Sequence, residues 1–89
     1  GTEELFYKDI NKSIKFTNPV INQCFINSSD ISQSINIEVY STNGIKLLKF
    51  NNLKFPSQID LNTLSEGIYI LRFLSSSNRL IQNSTIIKL

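Results

Sequence analysis

The sequence contains no histidine, tryptophan, methionine or alanine. Without histidine it lacks the side chain that most often acts as a general base near neutral pH and as a metal ligand. The few carboxylates form no pair placed for acid–base or nucleophilic work, and Asp60 and Glu66 flank a turn as solvated charges. A lone cysteine, Cys24, can neither close an intramolecular disulfide nor make a zinc site. Lying between Gln23 and Phe25 in an apolar strand pattern, it reads as a small buried hydrophobe rather than a reactive thiol. No stretch approaches the ~20 apolar residues of a membrane-spanning helix, and no signal-peptide pattern opens the chain. These absences predict a domain with no catalytic residues, no cofactor and no metal.

What remains is dominated by isoleucine, serine and asparagine, a mixture of strand and turn formers. At 89 residues the chain is one domain, burying only a little over ~60% of the surface its unfolded form exposes. A formal charge of +2 implies no nucleic-acid partner, since that requires basic residues gathered on one face. The first half is mildly acidic and the second mildly basic, as solvated strand faces commonly are. Gly1-Thr2 without an initiating methionine reads as the start of a piece of a longer protein, and residues 1–13 as a linker or cloning remnant.

The most apolar stretch runs from Ile68 to Phe73, with Tyr69, Leu71 and Phe73 on one face and Ile68 and Ile70 on the other. Such near-continuous apolarity predicts a central strand covered on both sides. Gly67 opens it at a point where a Cβ is expected to be crowded. Upstream, Ile14–Phe16 reads as an edge strand stopped by Thr17-Asn18-Pro19-Val20, where the chain can switch sheets. Gln23–Asn27 is a second strand. Ile35, Ile37 and Val39 alternate with Asn36, Glu38 and Tyr40, the period-two pattern of a half-buried third strand. Asn43-Gly44 then predicts a type I′ turn into the apolar run Ile45–Phe50.

Asn51-Asn52 marks a loop, Pro56–Leu61 a short strand, and Leu64 a turn residue that plugs one end of the core. Ser75-Ser76-Ser77-Asn78 turns the chain into a last strand, Leu80–Leu89. Apolar residues that continue to the final position suggest an end tied into a sheet or read by a partner. About seven short strands at roughly ten-residue spacing predict an all-β, immunoglobulin-like β-sandwich of antiparallel strands. The Cys–Trp–Cys hallmark of antibody domains is absent.

Four segments, in this order, resemble the type A C-terminal sorting domain of proteins exported by the type IX (Por) secretion system of Bacteroidetes. Thr17-Asn18-Pro19-Val20 is similar to the family's Pro-Asn-Pro-like opening turn, with threonine in place of the first proline. Val39-Tyr40-Ser41-Thr42-Asn43-Gly44-Ile45-Lys46 resembles its Val-Tyr-Asp-x-x-Gly-Lys segment. Asp60-Leu61-Asn62-Thr63-Leu64-Ser65-Glu66-Gly67-Ile68-Tyr69 resembles its Asp-Leu-x-x-Leu-x-x-Gly-x-Tyr segment, and Ile86-Ile87-Lys88-Leu89 its terminal strand with a basic residue. The similarity spans residues 14–89.

This resemblance implies a folded secretion signal fused behind an N-terminal cargo, crossing the periplasm and delivered by the type IX outer-membrane translocon to the cell surface or medium. A surface sortase then removes it. Asn18, Pro19, Val20, Gly44, Asp60, Leu64, Gly67 and Tyr69 match the family's motifs and are read first as structural: turn residues, core packing, and a tyrosine hydroxyl at the rim. Thr85, Ile86, Ile87, Lys88 and Leu89 are the candidates for translocon recognition, because a terminal strand can pair with a partner's sheet edge. Lys88 could add a charge contact. Exposed edges also invite self-association between copies. A non-catalytic Ig-like or fibronectin-like module for protein or carbohydrate adhesion is the competing reading, although most aromatics fall on strand patterns that the core is expected to claim.

Overall fold

The computed structural model describes residues 14–89. The linker expected over residues 1–13, with Phe6 and Tyr7, lies outside them. Seven strands follow in order: β1 (Lys15–Phe16), β2 (Gln23–Asn27), β3 (Ile35–Ser41), β4 (Lys46–Leu53), β5 (Ser57–Asp60), β6 (Gly67–Ser75) and β7 (Leu80–Lys88). They form a three-stranded sheet, β1-β2-β5, and a four-stranded sheet, β4-β3-β6-β7, in which every strand pair is antiparallel. The chain is thus an all-β sandwich, as its strand spacing predicts. Between β1 and β2 it visits the other sheet, where Val20 makes a parallel bridge to Lys88. The Asn18–Pro19 and Phe55–Pro56 peptide bonds are cis.

The core is set by which side of the pleat each apolar residue occupies. Cys24, Ile26 and Ile59 point inward from the small sheet, and Ile37, Val39, Leu71, Phe73 and Ile86 from the large one, all essentially inaccessible. Pairing across the ladder places Ile37 beside Phe73 and Val39 beside Leu71, so two inward rows meet in register. Phe16 reaches across the layers to Phe73, with ring centroids 5.9 Å apart and planes inclined by 38°. Each such side chain contributes roughly 1.5–3 kcal/mol when fully removed from water. Burial pushes the Cys24 thiol up to about 11, in keeping with a buried hydrophobe rather than a nucleophile.

Two hairpins of the large sheet share one design. In the first, the Gly44 amide donates to the Ser41 carbonyl (3.0 Å), the Ser41 amide to the Ile45 carbonyl (2.9 Å), and the Ile45 amide to Ser41 Oγ (3.1 Å). In the second, Asn78, Ser75 and Arg79 repeat those bonds at 2.8, 2.8 and 3.1 Å. The fourth residue takes positive φ in both, +89° at Gly44 and +66° at Asn78. A type I′ turn would need positive φ at Asn43 as well, and Asn43 is not among the positive-φ residues. The expectation there is corrected to a three-residue loop with a bulge residue in the left-handed region.

Four further expectations change. Asn51-Asn52 is not a loop: β4 runs through it, and Asn52, at φ +57°, forms a bulge whose amide donates to Asn36 Oδ1 (3.0 Å). Gly67 is not crowded, since the nearest atom to an added Cβ, on Tyr69, is 3.9 Å away. Its φ of +151°, which L-residues rarely adopt, accounts for the glycine instead. The coverage of the two central strands is also reversed. β3, read as half-buried, is covered on both faces, with Asn36 and Glu38 buried, whereas β6 leaves Ile68 55% exposed. β3 ends at Ser41, opposite Tyr69, so Ile68 has no neighbour on that side. Lastly, Phe25 is not claimed by the core; it faces outward from β2 and is 60% exposed.

Phe73→Ala is expected to cost ~3–5 kcal/mol, read as a lower urea midpoint with an unchanged slope. Phe25→Ala, which removes no buried packing, should change stability by no more than about 0.5 kcal/mol.

Candidate functional site

The end of β7 is built between two sets of motif residues. On one side lies β6, with Gly67 paired to Lys88 and Tyr69 to Ile86. On the other lies the loop after β1. Asn18 Nδ2 donates to the Thr85 carbonyl (3.3 Å), and the Ile87 amide donates to Asn18 Oδ1 (2.9 Å). The Val20 amide donates to the Ile87 carbonyl (2.9 Å), and the Leu89 amide to the Val20 carbonyl (2.8 Å). The side-chain amide of Asn18 therefore stands in for a peptide group, and Val20 continues the imitation with its own backbone. Pro19 between them has no amide to leave unpaired.

Alternation along β7 sorts its side chains. Gln82, Ile86 and Lys88 are buried, while Thr85, Ile87 and Leu89 are exposed. Lys88, for which a charge contact with a partner was expected, is only 8% exposed and donates from Nζ to the Leu89 carbonyl (3.1 Å). Its bridge partner Val20 is buried as well, and a long basic side chain can bury its apolar stem while its polar head finds a hydrogen bond. Ile87 and Leu89 join Ile68, the register partner of Ile87, in an exposed aliphatic group at 44%, 57% and 55% exposure. Ile21, next to Val20, is 66% exposed.

The remaining motif residues hold the fold at other points. Gly44 turns the first hairpin. Asp60 Oδ1 accepts from the Asn62 amide (2.8 Å), starting the turn in which the Leu64 amide donates to the Leu61 carbonyl (3.0 Å). Leu64 is half-buried against the core. The Tyr69 hydroxyl donates to the Ser65 carbonyl (2.7 Å), which fixes the approach to Gly67. The sequence reading did not single out Gln82, whose side chain both accepts from the Ile14 amide (3.3 Å) and donates to the Ile14 carbonyl (3.1 Å). Its signal was available: a polar residue in phase with Ile86 on the inward face needs a buried partner.

The outer face beside the tail carries a small charged network. Glu38, buried on that face, accepts from the Tyr40 hydroxyl (2.9 Å) and lies 3.0 Å from Lys46 and 3.8 Å from Lys49. The Arg72 guanidinium sits 5.9 Å from the centre of the Tyr40 ring. The Lys46 hydrogen bond, aided by Tyr40 and the lysine charges, holds the Glu38 carboxyl below its ordinary 4.5. Among the described residues no group of histidine, cysteine and carboxylate side chains could hold a metal ion.

An antiparallel sandwich whose distinctive feature is a last strand buttressed on both edges by sequence-distant segments belongs to the class of small two-sheet β modules. Its family is specific: residues 16–88 match the model of the Secretion system C-terminal sorting domain, and the chain belongs to that family. Membership implies an N-terminal cargo and export by the type IX system to the cell surface or medium. Among curated proteins, the 1-deoxy-D-xylulose 5-phosphate reductoisomerase of Pelagibacter ubique (strain HTCC1062) is 27% identical over 84 residues, 92% of this chain. The chain spans only 21% of that enzyme's length. No solved structure matches.

Asn18→Ala removes two side-chain hydrogen bonds worth ~0.5–1.5 kcal/mol each, so amide exchange at Ile87 should accelerate several-fold or more while the core strands β3 and β6 stay protected. Acid should also weaken the fold through Glu38. Because its pKa is lower folded than unfolded, its contribution is complete above about pH 4.5 and is lost as pH falls through the folded value. Glu38→Gln should therefore flatten the fall in Tm below about pH 4.5.

Proposed function

We propose that this domain is the address that brings its cargo through the periplasm to the type IX outer-membrane translocon, and that the tail Thr85–Leu89 is the part the translocon reads. A surface sortase then removes the domain. The observation that supports this reading is the placement of the tail: residues 17–20 and Gly67–Tyr69, far apart in sequence, converge on it and hold it as a presented strand. Thr85, Ile87 and Leu89 turn outward, and the exposed aliphatic side chains of Ile87, Leu89 and Ile68 lie together at the chain end. Apolar side chains around a strand edge are the features by which an added strand is chosen.

A second reading, adhesion, draws on the other sheet. The exposed Phe25 faces Pro56 and Ser57 across an open depression of about 470 Å³ that also includes Phe16 and Ile26. Saturable binding of the isolated domain on a glycan array would favour it.

The test of the first reading is delivery of a cargo fusion in a type IX-competent host. Removing residues 85–89 should leave cargo in the periplasm. Since that deletion takes away the buried Ile86 as well, Ile87→Ser with Leu89→Ser provides a version that spares the core; it should keep the wild-type Tm within a few degrees yet deliver less cargo. Normal surface delivery by both variants would overturn the reading.

A further inference from the structure

The tail's outward edge is already occupied. Thr85, Ile87 and Leu89 turn their outward backbone groups toward Asn18 and Val20, and four hydrogen bonds fill that edge. A partner strand cannot pair with those groups while the loop is in place, because each N–H has one proton to give and the approach is blocked. The occupant is nonetheless a poor strand. It supplies two of its bonds from a side chain, reaches only from Asn18 to Val20, and leaves Thr17, Asn18 and Pro19 exposed. Toward the other end of β7, Asn83 shares the outward phase of Thr85 and is exposed.

We infer that Asn18, Pro19 and Val20 are a detachable clasp over the edge of β7, hinged at Thr17, which stays bonded to Phe25 of β2, and that the tail is engaged when an extended strand of a partner replaces the clasp alongside Thr85–Leu89. The replacement runs in the parallel sense that the Val20–Lys88 bridge already sets. A full strand supplies backbone partners at every alternate residue and extends past Thr85 toward Asn83, where the clasp does not reach. It also covers the exposed Ile87 and Leu89 side chains, burying apolar surface that the clasp leaves wet. Val20 leaves the core in this exchange, so the entering strand is one that brings an apolar residue to its place; with that burial restored, exchange of a short internal occupant for a longer external strand is favoured by both gains.

Upstream of β1, Ile14 is held by Gln82 of the same strand β7 through a pair of hydrogen bonds. β1, paired to β2 in the other sheet, lies between these two contacts, so the clasp can leave β7 while Ile14 stays bound to Gln82.

This inference rests on the sorting reading, and its test separates the two. Val20→Cys with Lys88→Cys, in a Cys24→Ala background, links bridge partners whose backbones lie within the span a disulfide takes. In the cargo fusion, the oxidised variant should lose delivery relative to the same variant held reduced, with hydrogen exchange confirming that Ile87 is more protected when oxidised. Asn18→Ala, which loosens the clasp without touching the core, should deliver faster than wild type. Equal delivery in the two redox states, or a folded Asn18→Ala that delivers more slowly, overturns the clasp. If instead the tail variants above deliver normally, the sorting reading itself fails, whatever the clasp does.

Discussion

The structure depends on how the chain's last strand is held. β7 is the edge of the large sheet, and a terminal edge strand tends to fray because half its backbone groups have only water as partners. Here the outward groups of the final stretch, Thr85 to Leu89, are met by Asn18 and Val20, and the Gln82 side chain is met by Ile14, all nearly seventy positions away. Closing so long a loop carries an entropic cost that a few exposed hydrogen bonds do not meet. The apolar burial of Ile14, Val20 and Ile86 makes up the difference, each being at most 3% exposed. Hydrogen bonds fix the register, and burial holds the segment there.

The same division appears on the outer face of the large sheet. Among the described residues no third layer covers it, yet β3 is buried there, because Glu38 draws Lys46 and Lys49 across the strand. Where no such pair exists, at Ile68 beyond the end of β3, the face stays wet. Coverage in a small sandwich is thus a local matter of long side chains as much as of layers, and the exposed aliphatic group lies where that local cover ends, beside the tail.

Much of this was legible in the residues. The alternation of Ile35, Ile37 and Val39 with polar neighbours located β3, Gln23–Asn27 is β2 with the same bounds, and the four family segments, all but Leu89, fall within the matched residues 16–88. The misreadings share a cause. Asn51-Asn52 and Asn43-Gly44 are turn-forming pairs, but whether an asparagine closes a hairpin or bulges a strand depends on the partner strand's hydrogen bonds, as the Asn36–Asn52 bond shows. Phe25 and Lys88 were misplaced for a related reason: residue type sets a preference for core or surface, and strand phase overrides it.

Sequence by itself determined the class and its punctuation: seven strands and the turns at Asn43-Gly44 and Ser75–Asn78, all consequences of periods and turn chemistry within a dozen residues. Only the tertiary structure decided that the tail's free edge is closed by Asn18 and Val20, and that Gln82 and Lys88 point inward to what covers them. The reason is physical: a strand's period tells which side chains share a face, but which backbone comes to lie along its edge is settled by how the two sheets pack, through contacts that no local pattern encodes.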